Sequence, residues 1–452
     1  MRSFDVRVAR RLQTTIIEVA MNLVENIRID GLWGRTEPLM LEFDDDFNFL
    51  IGQNGTGKTT VINLIAAVLT GDFDRLDRIQ YDRIQIKLKT KGSRKRPLID
   101  VIKAQKENTP FCSIQYAVRA ASTADPILFD FDKFEEERAY RNIPPRMRRE
   151  RFAARYYDIR AQLQSLLNVR WLSINRASEE FTPDEERKFV SMVDRKVADL
   201  NSEIVKYLGR LTKRYADETL EFQQASLLSL INSESEFKLN ELVKNINLDE
   251  ERTALEKAFE LLGVAPAKYQ KTLNAHFSNY SAAAPKLGKP ITMFELGAIY
   301  NALKAHYLVQ QYNSLQERRL NIFSPRDNFL RVFNDLLSPR KFIETSKRGE
   351  LVVYSGVRRP VTDKDKPIQF DELSSGEKQL FIILGEALLQ EQRPAIYIAD
   401  EPELSLHVKW QEKLTSSIKS INPNAQIIFA THSPDIVGLH DKKTIDMERI
   451  GI

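Results

Sequence analysis

The chain has 452 residues, 42% of them hydrophobic and 29% charged, which suits two or three domain-sized units with much exposed helix. Its net charge of +4, from 67 basic and 63 acidic residues, gives no overall signature of nucleic-acid binding, so only local clusters could supply one. A single cysteine, Cys112, excludes a disulfide framework or zinc ribbon and fits a reducing, cytoplasmic compartment, and the longest apolar stretch, 380–389, is broken by Glu386 and too short to span a bilayer.

Residues 1–21 carry Arg2, Arg7, Arg10 and Arg11 without the apolar core of a secretory signal, and read as an N-terminal extension ahead of a second methionine, Met21. Residues 22–125 read as a β-rich lobe. Segments 27–29, 39–43 and 47–51 alternate or run apolar like strands, and 83–89, 98–103 and 111–118 are further strand candidates. Within this lobe, 59–69 places Ile62, Ile65, Ala66 and Leu69 on one helix face, and the basic run from Lys87 to Arg96 reads as a solvated hairpin turn. Residues 126–345 read as mainly helical. Phe189, Val193, Val197, Leu200, Ile204, Leu208, Leu211 and Tyr215 recur at steps of three and four, a stripe about seven turns long. It suits a helix in a bundle or a short antiparallel coiled coil. Residues 293–320 read as another long helix, while the extended segment 169–174 is assigned to the sheet of the flanking lobes. Residues 346–452 return to α/β, with a strand at 350–354, a helix at 379–389, and wholly apolar strands at 395–399 and 426–430, as in a parallel sheet covered on both faces.

Chemistry concentrates in four motifs. Gly52-Gln53-Asn54-Gly55-Thr56-Gly57-Lys58-Thr59 is a complete phosphate loop, placed between an apolar strand and a helix that continues through Thr60. Its glycines let backbone N–H groups point at phosphate oxygens, and the helix N-terminus adds partial positive charge. Lys58 is expected to reach the β- and γ-phosphates of ATP, and Thr59 to bind Mg²⁺. The apolar strand 395–399 runs into Asp400 and Glu401: the first is placed to hold Mg²⁺, the second to polarise the attacking water. A histidine, His432, follows the strand 426–430.

The fourth motif is Leu373-Ser374-Ser375-Gly376-Glu377, followed by Lys378 and Gln379. It resembles the signature of ABC ATPases in the form seen in the SMC, RecF and OLD branch. That resemblance implies an α/β ATPase head with an antiparallel β-subdomain and a long helical insertion. It implies that Ser375, Gly376 and Glu377 face the γ-phosphate of ATP held by another subunit, so that the working unit is a homo-oligomer, at least a dimer. His432 resembles the switch histidine of the family, and Glu403 and His407 match the P-E-x-x-L-H form of its D-loop. The Q-loop glutamine stays open among Gln105, Gln115, Gln162 and Gln164. About three hundred residues separate the phosphate loop from the signature (52 to 373), unlike the short spacing of transporter ATPase domains.

One cluster stands apart. Eight arginines lie between Arg138 and Arg160, including Arg146, Arg148, Arg149 and Arg151, with Tyr140, Phe152, Tyr156 and Tyr157 interleaved. The stripe suits nucleic-acid phosphates, an acidic protein surface, or a solvated helix face. Over roughly residues 22–70 and 345–440 the chain resembles the stand-alone ATPase components of PARIS- and Septu-type anti-phage systems, which implies a separately encoded nuclease or toxin as effector. The alternative reading is a RecF- or SMC-like repair ATPase that clamps DNA.

Overall fold

The computed structural model describes residues 22–105, 112–132, 145–172, 191–229, 247–346, 349–359, 361–362 and 365–449. The chain divides into two compact units, Val205–Asp327 and the remainder. The unit Val205–Asp327 is shorter than the expected helical region 126–345.

The α/β unit holds two large sheets. An antiparallel one runs in the order β2-β1-β4-β5-β6-β7, from β1 (Asn22–Asp30), β2 (Leu39–Glu42), β4 (Arg83–Thr90), β5 (Leu98–Gln105), β6 (Cys112–Arg119) and β7 (Ile127–Asp132). A parallel one runs β13-β3-β12-β11-β8, from β3 (Phe47–Ile51), β8 (Val169–Trp171), β11 (Ala395–Asp400), β12 (Ala425–Ala430) and β13 (Thr444–Asp446). Of the segment 169–174, residues 169–171 pair into this sheet, with Val169 opposite Ile396, and residues 173–174 lie outside the described residues. The Lys91–Arg96 tip joins β4 to β5 as an exposed hairpin turn.

Helix α1 (Lys58–Thr70) lies in the core that joins the sheets. Eight of its residues, among them Val61, Ile62, Leu64, Ile65 and Val68, are buried apolar side chains. Each valine, leucine and isoleucine among them contributes roughly 1.5–3 kcal/mol by leaving water. They share one cluster with Ile27, Ile84 and Ile99 of the antiparallel sheet and Leu50, Ile396, Ile398 and Ile428 of the parallel sheet. Alternate residues Phe49, Tyr397, Ile427 and Phe429 are buried as well, so the parallel strands are covered on both faces. A buried side chain, Gln426, ties the layers: it accepts from the Val24 N–H at 2.8 Å and donates to the carbonyls of Val24 and Asp44, both at 2.8 Å. With its polar atoms satisfied, burial carries little penalty and fixes the register between sheets. Helix α2 (Phe73–Arg78) and helix α3 (Pro145–Leu166) complete this side, and Ile159, Leu163 and Leu166 of α3 enter the same core.

In the unit Val205–Asp327, the end of helix α4 (Met192–Ser229), α5 (Leu248–Leu261), α6 (Pro266–Ala283) and the start of α7 (Met293–Leu337) pack as a helical bundle. Leu255, Tyr269, Leu273, Phe277 and Val309 form one core, and Phe222, Ala258, Tyr312 and Leu315 another. Asn247 caps α5 by accepting from the Asp249 N–H at 3.2 Å. Among the described residues, no helix is long and apolar enough to cross a membrane.

Beyond α7, the hairpin β9 (Lys341–Thr345) and β10 (Leu351–Ser355) leads to α8 (Ser375–Leu389). Helix α9 (Val408–Ile421) packs against β12, and a short α10 (Pro434–Val437) follows that strand.

Candidate active site

Four parallel strands end side by side, and each delivers a polar group. Strand β3 opens into the phosphate loop, β11 into Asp400 and Glu401, β12 into Thr431 and His432, and β13 into Glu448. The carboxyl ends of adjacent parallel strands are where open α/β sheets bind ligands. The sequence places these groups far apart in the chain. The parallel register Ile428↔Asn48, Ala430↔Leu50 and Asp400↔Ala430 brings them together.

At the loop, Gln53, Asn54 and Gly55 form the exposed tip, while Lys58 is only 5% exposed. The Lys58 ammonium donates to the carbonyls of Gly52 at 2.7 Å and Gln53 at 2.8 Å. Burial lowers its pKa below the usual lysine value, although Glu401, Asp400, Glu448 and Glu403 all act to raise it. Gly57 stands at φ 84° against the indole of Trp33, and a Cβ there would come within 2.0 Å of the ring. Trp33 is itself held at φ 55° in a turn after β1, with its N–H on the Gln80 carbonyl at 3.1 Å. An alanine at Gly57 therefore meets both a disfavoured backbone and an occupied space. Gly57→Ala is expected to lose nucleotide binding, and the parent's tryptophan fluorescence to change on adding ATP; a titration of both proteins, with Trp33→Phe as control, checks this.

The Thr59 hydroxyl donates to Asp400 Oδ1 at 3.1 Å. Two hard oxygen donors thus sit together at the start of α1, the set that Mg²⁺ prefers beside phosphate. With the buried lysine next to them, these residues fit a Mg²⁺–nucleotide. Glu401 follows Asp400 at φ 50°, its N–H bonded to the Ala430 carbonyl at 2.8 Å. Its Oε1 lies 3.8 Å from His432 Nε2, and the two side chains are 36% and 35% exposed. An acid and an imidazole face each other at the rim, each open to water.

The signature motif forms the start of α8. Ser374 is the N-cap and accepts from the Glu377 N–H at 3.4 Å, while Glu377 Oε2 accepts from the Ser374 N–H at 2.8 Å, a capping box. Gly376 touches the following turn so closely that a Cβ would lie 2.4 Å from the Ser405 carbonyl oxygen. Gln379 donates to the Pro402 carbonyl at 2.7 Å. The signature end of α8 and the turn at 402–407 are thereby one packed piece, with Ser375 exposed at its surface.

A family model described as "AAA domain, putative AbiEii toxin, Type IV TA system" matches residues 47–438, most of the chain. The chain belongs to this AAA-domain family. The AAA-domain chain is also similar to the Septu protein PtuA of Bacillus thuringiensis, 36% identical over 91 residues, which is 17% of this chain and 23% of that protein. The match thus spans under a quarter of the relative's length. Among solved structures, the Smc head domain of Pyrococcus furiosus, with an extended coiled coil and bound to the C-terminal domain of ScpA, aligns over 92% of this chain and 91% of its own at 13% identity and a TM-score of 0.41. The Smc head domain of Pyrococcus yayanosii, with a coiled coil and joint, aligns over 92% and 93% at 14% identity and a TM-score of 0.33. The phosphate loop at residues 52–59 lies inside the span that this family model matches.

Residues 52–60, Asp400, Glu401 and His432 gather at one rim. Glu377 differs from expectation. Burial raises its carboxyl pKa, but hydrogen bonds from Lys341 at 2.8 Å and from Ser374 outweigh this and leave it lowered, so the carboxylate is committed within the fold. What remains for a nucleotide there is the Ser375 hydroxyl and the backbone at the helix start. Of the arginine stripe, Arg138 and Arg141 lie outside the described residues. Arg146, Arg148, Arg149 and Arg151 belong to α3, whose side chains are described from Tyr156 onward. The Q-loop glutamine keeps no assignment: Gln115 pairs with Asp130 at 3.5 Å on the antiparallel sheet. Two groups at the rim had no sequence signal. Trp33 reaches Gly57 only through the fold, and Glu448 Oε1 accepts from the Gln53 N–H at 2.7 Å, pinning the phosphate loop at that residue.

Proposed function

We propose that this chain is a Mg²⁺-dependent ATPase whose site is completed by a second copy, and that its ATP cycle controls a separately encoded effector in anti-phage defence. The observation that carries the ATPase reading is the meeting of Thr59, Asp400, Glu401, His432 and Lys58 at adjacent strand ends. In this reading, backbone N–H groups of residues 55–59 donate to the phosphates, and Lys58 turns from its loop carbonyls toward the β- and γ-oxygens. Mg²⁺ at Thr59 and Asp400 would neutralise charge on the phosphates. Glu401 orients the water that attacks the γ-phosphorus, and His432, beside Glu401 at 3.8 Å, steadies the γ-phosphate and that water. The exposed Ser375 of a facing copy closes the pocket, and supplies hydrogen bonds that strengthen as charge develops. The defence role is supported by the likeness to Septu protein PtuA.

Ser375→Arg tests the composite site, because it alters the facing surface and leaves the phosphate loop alone. Fluorescent-nucleotide binding is expected to persist, ATP-dependent dimerisation on a sizing column to disappear, and turnover to fall at least about 10-fold, which corresponds to losing roughly 1.4 kcal/mol of transition-state stabilisation. A variant that stays a single chain and hydrolyses at the parental rate would remove the shared site from the proposal. For the effector, tagged purification with mass spectrometry is expected to recover a nuclease or toxin encoded elsewhere; a chain that protects cells with no such partner would sink that half.

A further inference from the structure

We propose that Glu403 is a positioning residue that fixes the switch histidine, His432, at its working distance from Glu401. The proposal rests on the ATPase reading and adds to it a residue with its own structural readout.

Residues 431–433 leave β12 without further secondary structure, so the ladder that aligns the strand ends before His432. One carboxylate oxygen takes over. Glu403 Oε1 accepts from the Thr431 hydroxyl at 2.6 Å, from the His432 N–H at 2.9 Å and from the Ser433 N–H at 3.2 Å. Three donors converging on a single oxygen is an arrangement that a negative charge supports and a neutral group supports less well. Thr431 is 1% exposed and in turn accepts from the Ser433 N–H at 3.0 Å, so the clasp is rigid on its inner side. On the outer side the Ser433 hydroxyl donates to Gln411 Oε1 at 2.7 Å, and Gln411 Nε2 donates to the Leu406 carbonyl at 2.9 Å. Both holders, Glu403 and Gln411, come from the turn and helix that follow Glu401. The base and the histidine are therefore set by one local piece of chain, and His432 Nε2 stands 3.8 Å from Glu401 Oε1 as a result.

Removal of the clasp frees the His432 N–H, leaves the Ser433 N–H only its bond to Thr431, and lets the imidazole wander. A displacement of about 1 Å in a reacting constellation costs on the order of 100-fold in rate. In Glu403→Ala, hydrogen exchange of the His432 and Ser433 amides is expected to accelerate. Turnover at saturating ATP is expected to fall about 10- to 100-fold, with KM within about threefold of the parent, as when only the transition state is affected. Glu403→Gln keeps one accepting oxygen and the side-chain size without the charge, and is expected to recover both properties in part, above the level of Glu403→Ala. Because Glu403 acts through His432, the pair Glu403→Ala with His432→Ala is expected to turn over no more slowly than His432→Ala alone. A double variant whose losses multiply, or a rise in KM that accounts for the loss in kcat/KM, overturns the proposal. If the parent hydrolysed no ATP, the ATPase reading would fall by itself. The exchange measurement would still decide the clasp: faster exchange confined to 431–433 supports it, and unchanged exchange in Glu403→Ala ends it.

Discussion

Glu401→Gln is expected to bind ATP as the parent does, to hydrolyse it at least about 100-fold more slowly, a loss of about 2.7 kcal/mol in transition-state stabilisation, and to accumulate as a closed dimer. The geometry gives the reason. Glu401 stands at the end of β11, at φ 50°, a conformation that costs a non-glycine residue on the order of 1 kcal/mol and persists only where surroundings enforce it. Here the enforcement comes from the Glu401 N–H bond to the Ala430 carbonyl at 2.8 Å, and from the Leu404 N–H bond to the Glu401 carbonyl at 3.2 Å. Those backbone bonds are blind to the side chain, so glutamine keeps the turn and changes only the group at its tip. The amide can still touch a water but cannot draw a proton from it, and its charge no longer faces His432. Binding rests on the loop and on Thr59 and Asp400, which the substitution leaves untouched. Single-turnover rates, nucleotide affinity and sizing with ATP check the three parts separately. A variant that turned over at the parental rate would strip Glu401 of its role as base.

The motifs in this chain were legible where their chemistry is written in consecutive residues. Residues 52–59 carry the loop, its glycines and its lysine together, and Asp400 and Glu401 follow directly on an apolar strand, so each could be read without knowing the fold. Glu448 could not. It follows Thr444-Ile445-Asp446, a strand too short to show alternation, and only the parallel pairing of β13 with β3 carries it to the Gln53 amide. Trp33 was hidden for the same reason, since twenty-three residues of sheet and loop, 34–56, separate it from Gly57. Strand β9, at Lys341–Thr345, was absorbed into the helical region because it directly follows a helix and is defined by its hairpin partner β10. Helix α7 was expected to stop near 320, and it continues to Leu337 through Pro325. A proline inside a helix forfeits a hydrogen bond. Phe329, Phe333 and Leu336 lie buried beyond it, and packing of that face outweighs the missing bond. The start of α8 was expected at Gln379 and lies at Ser375. The S-x-x-E spacing of Ser374 and Glu377 was the available signal, a capping box visible in the sequence.

Lys58→Met is expected to abolish ATP binding while leaving the ligand-free protein folded and no less stable. The two halves of that outcome have one cause. Burial depresses the Lys58 pKa, and four neighbouring carboxylates oppose the depression without cancelling it. The unfolded chain therefore binds the lysine proton more tightly than the folded one. Stability linked to this group is lowest where the ammonium is charged in both states, and rises as pH climbs through the depressed folded value toward that of a free lysine. Methionine removes this linkage, fills a similar volume and leaves the Gly52 and Gln53 carbonyls to water at the open rim. A thermal midpoint equal to or above the parent's, beside a lost nucleotide signal, is the expected pair of results. The same depression sets the alkaline limit of binding: affinity for ATP is expected to weaken at a pH below the usual lysine range, because the phosphates lose a cation there. Titration of nucleotide affinity against pH, with the fold monitored by circular dichroism, measures it. Retained micromolar binding in Lys58→Met would mean that the backbone amides and metal ligands suffice, and that the buried ammonium is structural. A marked fall in the thermal midpoint would mean that the four carboxylates need its charge to stay together, and that the desolvation argument has the wrong sign.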